Sequence, residues 1–93
     1  MFRRGRTLRC PANVWTTVLD TPFAQLPVTW TVSLDAAGAP VDGVYEERKS
    51  RWVLPSDPVR GPLHERMTFA RGYWNTFYSV RVRPTVDLDV TFE

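Results

Sequence analysis

Apolar and polar residues alternate cleanly along three stretches of this chain. Val28, Trp30, Val32 and Leu34 alternate with Thr29, Thr31 and Ser33. Tyr78, Val80 and Val82 alternate with Ser79, Arg81 and Arg83, and Val86, Leu88, Val90 and Phe92 with Asp87, Asp89, Thr91 and Glu93. A period of two marks a strand with one face on a core and the other toward water. Further β-rich stretches lie at 14–19 (VWTTVL), 43–48 (GVYEER), 50–54 (SRWVL) and 63–69 (LHERMTF). Together they predict about seven strands of ordinary length. No stretch carries a helical period of useful length.

The breakers agree with that reading. Pro22 and Pro27 bracket one loop, and 35–43 (DAAGAPVDG) forms a second. The segment 55–62 (PSDPVRGP) is rich in Pro and Gly and cannot be a central strand. Short strands divided by such turns predict an all-β fold, a single small antiparallel β-sandwich or barrel. The expected core is Val28, Trp30, Val32, Leu34, Tyr78, Val80, Val82, Leu88, Val90 and Phe92. If the last two strands pair as a hairpin, even register offsets keep their valines on one face and set Arg81 against Asp87 or Asp89 on the other.

Length and composition narrow the picture further. At 93 residues, 43% of them hydrophobic and 13% aromatic, the chain fits one small domain with a real core. One cysteine, Cys10, leaves no internal disulfide and no cysteine-built zinc site, so a reduced structural residue is expected there. One histidine, His64, leaves little material for a catalytic triad. No apolar run approaches the ~20 residues that span a bilayer, and no signal-peptide core follows Met1. The expectation is therefore no membrane and no cofactor or metal.

Charge divides the chain unevenly. The net charge is +2, yet Arg3, Arg4, Arg6 and Arg9 give the first ten residues +4, so the remainder sums to −2. This separates a basic N-terminal arm (1–10) from a β-sandwich domain (11–93). The cations are eleven Arg and a single Lys. Arg forms planar, forked contacts with carboxylates and phosphates.

Few residues suit catalysis. His64 stands near Ser56, Asp57 and Glu65, but no Gly-x-Ser-x-Gly elbow accompanies it. Glu46 and Glu47 are adjacent and so point to opposite faces of a strand, which denies them an acid–base partnership. Asp87 and Asp89 share a face, but the liganding loop and Gly of a calcium site are missing. Contact residues are better candidates. In the arm, Phe2 and Leu8 would bury beside Arg3, Arg4, Arg6 and Arg9 on a neighbouring subunit, with Asp87, Asp89 and Glu93 of a copy as acceptors. Nucleic acid is disfavoured as the arm's target, because the body is acidic and lacks a basic–aromatic stripe. The segment 71–78 (RGYWNTFY) offers Arg71, Tyr73 and Trp74 as an interface or sugar-stacking patch. Phe23 and Leu26, held between two prolines, form a second contact loop.

The arm FRRGRTLR, the compact all-β body and the lack of catalytic or redox residues together resemble small tailed-phage virion accessory proteins: head decoration (cement), spike-base or connector subunits. The resemblance implies a non-enzymatic structural protein, a symmetric homo-oligomer bound to other protein subunits such as a capsid lattice. It would be located in the virion if phage-encoded and otherwise in the cytoplasm. A carbohydrate-binding β-sandwich using Tyr73 and Trp74 and an arm-led nucleic-acid-binding module are the alternatives.

Overall fold

The structure, a computed structural model, describes residues 5–22, 28–51, 54–55, 57–71 and 75–93. Nine strands form among them: β1 (Thr7–Cys10), β2 (Thr16–Pro22), β3 (Val28–Asp35), β4 (Gly43–Arg51), β5 (Leu54–Pro55), β6 (Val59–Pro62), β7 (Arg66–Arg71), β8 (Asn75–Pro84) and β9 (Leu88–Phe92). They build a four-stranded sheet, β1-β9-β3-β7, and a five-stranded sheet, β2-β8-β4-β5, with β6 also on β4. Every ladder is antiparallel. The sheets stack as a sandwich, not a closed barrel. Ring pairs bridge the layers: Trp30 of β3 stacks on Tyr78 of β8 at 5.7 Å, and the Tyr45 ring of β4 meets the Phe69 edge-face of β7 at 5.6 Å.

Alternation fixes what each face does. In β9, Leu88, Val90 and Phe92 are buried while Asp89 and Thr91 face outward. Buried side chains from both sheets form one core, including Val32 and Leu34 of β3, Phe69 of β7, Tyr78, Val80 and Val82 of β8, and Val18 and Leu19 of β2. Val18 and Leu19 are both buried because the β2–β8 register slips between Thr17 and Leu19, a bulge that turns consecutive residues inward. Two glycines are required by close approach. A Cβ on Gly61 of β6 would lie 2.7 Å from the Tyr45 ring. Gly43, at φ +137°, opens β4 with its Cα against the Arg83 carbonyl, where a Cβ would sit 2.4 Å from that oxygen.

Three expectations need correction. The last two long strands are not a hairpin: β8 lies in the five-stranded sheet between β2 and β4, and β9 in the other between β1 and β3. The link 85–87 crosses from one layer to the other, so Arg81 never faces Asp87 or Asp89. Val28 is 38% exposed, at the outer end of β3, and Trp30 is only partly buried, so neither is full core. The segments 43–48 and 50–54 do not divide at Lys49: β4 runs from Gly43 to Arg51, with a register slip against β8 between Ser50 and Arg51, and Leu54 belongs to β5, which pairs back on β4. Within the basic arm, Thr7–Cys10 form strand β1, paired Thr7↔Thr91 through Cys10↔Leu88. Its backbone amides need partners, and the open edge of β9 supplies them. The Pro-rich segment 55–62 does carry a strand, β6, but at the sheet edge where a missing N–H is tolerated.

Candidate functional site

On the outer side of the five-stranded sheet, register sets Arg60 of β6, Glu46 of β4 and Arg81 of β8 in one row. Arg48, two residues along β4, emerges on the same face. The Glu46 carboxylate gathers all three guanidinium groups. Its Oε1 accepts from Arg48 Nε at 2.9 Å and from Arg81 Nε at 2.9 Å, and its Oε2 accepts from Arg60 Nε at 2.8 Å. Arg60 and Arg81 each add a second contact through an NH2 nitrogen, at 2.7 and 2.9 Å. The Arg81 guanidinium also lies over the Trp15 ring, 4.3 Å from its centroid. That cation–π contact adds a second hold on the Arg81 guanidinium besides the carboxylate.

Glu46 has no exposed surface, while the arginines that hold it have side chains 59% (Arg48), 63% (Arg60) and 36% (Arg81) exposed. The Arg81 hydrogen bond holds its carboxyl at about 2, against an ordinary 4.5; burial opposes this, and Arg48 and Arg60 reinforce it. The group is thus a fixed anion at the centre of a cationic face. Bonds to Glu46 use one or two of the five N–H donors each guanidinium has. Arg83, also outward on β8, has no ion pair among the described residues. The face therefore holds four arginines against Glu46 and the exposed Asp20, a surplus of positive charge in fixed positions.

Of the contact residues expected from sequence, three have described side chains. Leu8 is half-buried against the core, Arg6 is exposed, and Arg9 pairs with its own chain. Arg9 reaches Asp87 at 3.4 Å and Asp89 at 3.3 Å on the outer side of the four-stranded sheet. Asp87 and Asp89, expected to accept arginines from a copy, already hold one from within. Arg71 closes β7 opposite Val28, its side chain outside the described set. Phe2, Arg3, Arg4, Phe23, Leu26, Tyr73 and Trp74 all lie outside the described residues.

The remaining chemistry-bearing groups are engaged or exposed. His64 stands exposed between β6 and β7. Glu47 points into the sandwich, opposite to Glu46 as alternation requires, and there accepts the Tyr78 hydroxyl and sits 3.7 Å from Lys49 Nζ. Burial first, and the Glu47 bond second, push the Tyr78 hydroxyl far above its ordinary pKa. Cys10 is fully buried, and that burial, with Asp89 nearby, pushes its thiol up to about 11. No cluster of His, Cys, Asp and Glu suited to a metal occurs among the described residues, and no helix is long and apolar enough to cross a membrane. Sequence reasoning missed the arginine cluster. Alternation places Glu46, Arg48 and Arg81 on outer faces, but only the ladder register brings Arg60 beside them. No protein-family model, curated protein or solved structure matches the chain.

Proposed function

We propose that this chain is a non-enzymatic structural subunit that docks on other protein subunits through the outer face of its five-stranded sheet. The reading is of the same kind as the virion accessory role that its build resembles, with capsid decoration or another head accessory position as the form it would take. One observation supports it above the rest: three arginines gathered on the buried Glu46, one of them backed by Trp15. Arg and Trp are the residues that dominate binding hot spots, and side chains already locked in place lose little entropy on docking. The surplus charge selects a partner rich in carboxylates.

The test is sedimentation of the chain from the cells or lysate that produce it, through a sucrose gradient, with and without nuclease. A structural subunit travels with a large protein particle whether or not nuclease is present, and Arg60→Glu leaves it at the top. Wild-type chain that stays at the top as a free small protein defeats the reading.

A further inference from the structure

The partner of the arginine face can be named from the molecule's own opposite side, an inference that rests on the docking reading above. We propose that the arginine face of one copy binds the outer face of the four-stranded sheet of the next, so that copies stack head to tail.

The two broad sides are chemical complements. On the four-stranded sheet, Asp35 of β3 stands directly opposite Asp89 of β9 in the ladder. Asp87 and Asp89 share Arg9. The outer side of this sheet therefore sets Asp35, Asp87, Asp89 and Glu93 against Arg9 and Arg66, a surplus of negative charge, where the other side sets four arginines against Glu46 and Asp20. Like charges directly opposed across a ladder are destabilising. A single Arg9 compensates Asp89, while among the described residues Asp35 accepts from the Ala37 amide alone, 2.9 Å from its Oδ1. A guanidinium from outside relieves that repulsion and gains forked contacts to carboxylates already in place.

Shape agrees with charge. The slab measures 40 × 26 × 16 Å, with the thin direction across the two layers. Each broad side is thus ample for the ~800 Å² per partner of a standard interface. Around the carboxylates the acidic side carries short hydroxyl side chains, with Thr7 and Thr91 joined at 3.1 Å and Thr31 and Thr68 at 3.5 Å. The same side also carries the exposed Arg66, paired with Glu93 at 2.8 Å, so the long side chains of Arg48, Arg60 and Arg83 would reach the aspartates across the short hydroxyls, away from that pair. Because different faces meet, the contact is heterologous: it closes into a ring or extends as an open stack.

Charge exchange on single residues tests this without touching the Glu46 cluster. Arg83→Glu alters the basic side, and Asp89→Lys alters the acidic side while giving Asp35 an opposite charge within its own ladder. Sedimentation velocity on the full chain at low salt should show wild type growing beyond the monomer with concentration, and reverting at ~1 M salt, where screening acts over ~3 Å. Each variant alone should associate roughly tenfold more weakly while still melting cooperatively within a few degrees of wild type. Mixed together they should form a one-to-one complex, because one retains an intact acidic side and the other an intact basic side. A mixture without rescue would show that like faces meet, which overturns the proposal, as would variants that associate as wild type does. A wild type that stays monomeric at every concentration overturns it too, while co-sedimentation with a larger particle would leave the docking reading intact. A monomer whose salt-sensitive binding of a single-stranded oligonucleotide is lost on Arg83→Glu would make the face a nucleic-acid surface instead.

Discussion

Three guanidinium groups within 2.9 Å of one carboxylate make Glu46 the most constrained charge on the described surface. Each of its oxygens is used, so its burial leaves no lone pair without a donor. Removing the charge would leave three cations crowded together, a larger penalty than the lost bonds alone. The depressed carboxyl has a consequence with a definite sign. Its folded pKa of about 2 lies below the unfolded 4.5, so its stabilisation is complete above pH ~4.5 and is lost as pH falls toward 2. Melting curves of wild type and Glu46→Gln should therefore differ most near neutral pH and converge across that acid window. A constant gap down to pH 2 would show that the carboxylate charge is not what holds the arginines. Cys10 carries the opposite shift, upward to about 11, and lies fully buried in β1. Thiolate is the reactive form, so the native thiol should resist a thiol reagent at pH 8 and react promptly once urea unfolds the chain. Rapid labelling of folded protein would mean that β1 leaves the sheet. Cysteine count and the neighbouring Pro11 made a quiet structural thiol legible in the sequence. The Glu46 cluster was not legible, because two of its three arginines are 14 and 35 residues away.

At the scale of strands, periodicity reported faces faithfully and partners not at all. Val80, Val82, Leu88 and Val90 are all buried as alternation requires. The same alternation fits a hairpin within one sheet and an arch between two sheets, since both put the apolar sides toward one core. The arch was therefore invisible in the pattern. So was β1, whose residues TLRC show no strong β signal and gain their order from the edge of β9. Deleting residues 1–10 should remove that strand and the buried Cys10, and so lower the melting temperature by several degrees. A truncated chain that melts with the parent would show the arm to be dispensable to the fold. By contrast Arg9→Ala should cost only ~0.2–1 kcal/mol, because its ion pairs are exposed. The edge strand β6 offers a local test. Gly61→Val places methyl groups where the Tyr45 ring already lies, and overpacking of this kind costs ~1–3 kcal/mol. Hydrogen exchange should then quicken at residues 59–61 while β3 and β9 stay protected, since the ladder of β6 among the described residues is with β4.

Across the whole molecule, the path of the chain sets how it must fold. It moves from one sheet to the other at every connection except β4 to β5 to β6, so no two consecutive strands are neighbours in the four-stranded sheet. That sheet joins Thr7 to Thr91, almost the full length of the chain. Its centre, β9, is the last strand to emerge, and β1 and β3 both pair with it. Non-local pairing of this kind requires loop closure before any contact is gained, which places all-β sandwiches in the millisecond-to-second range of folding. Refolding followed by tryptophan fluorescence should accordingly be slow and single-exponential, and Trp30 on Tyr78 supplies a reporter that spans both layers. Trp30→Ala should cost about 2–3 kcal/mol, below the ~3–5 kcal/mol of a fully buried ring because Trp30 is only partly covered. Removing residues 88–93 should do far more: without Leu88, Val90 and Phe92 β1 loses its ladder, β3 keeps only its ladder with β7, and the core loses side chains that are at most 3% exposed. Such a chain should show no cooperative melt at any temperature. A cooperative transition in it would mean that the five-stranded sheet folds alone, and that the four-stranded sheet is a later addition to a fold already complete.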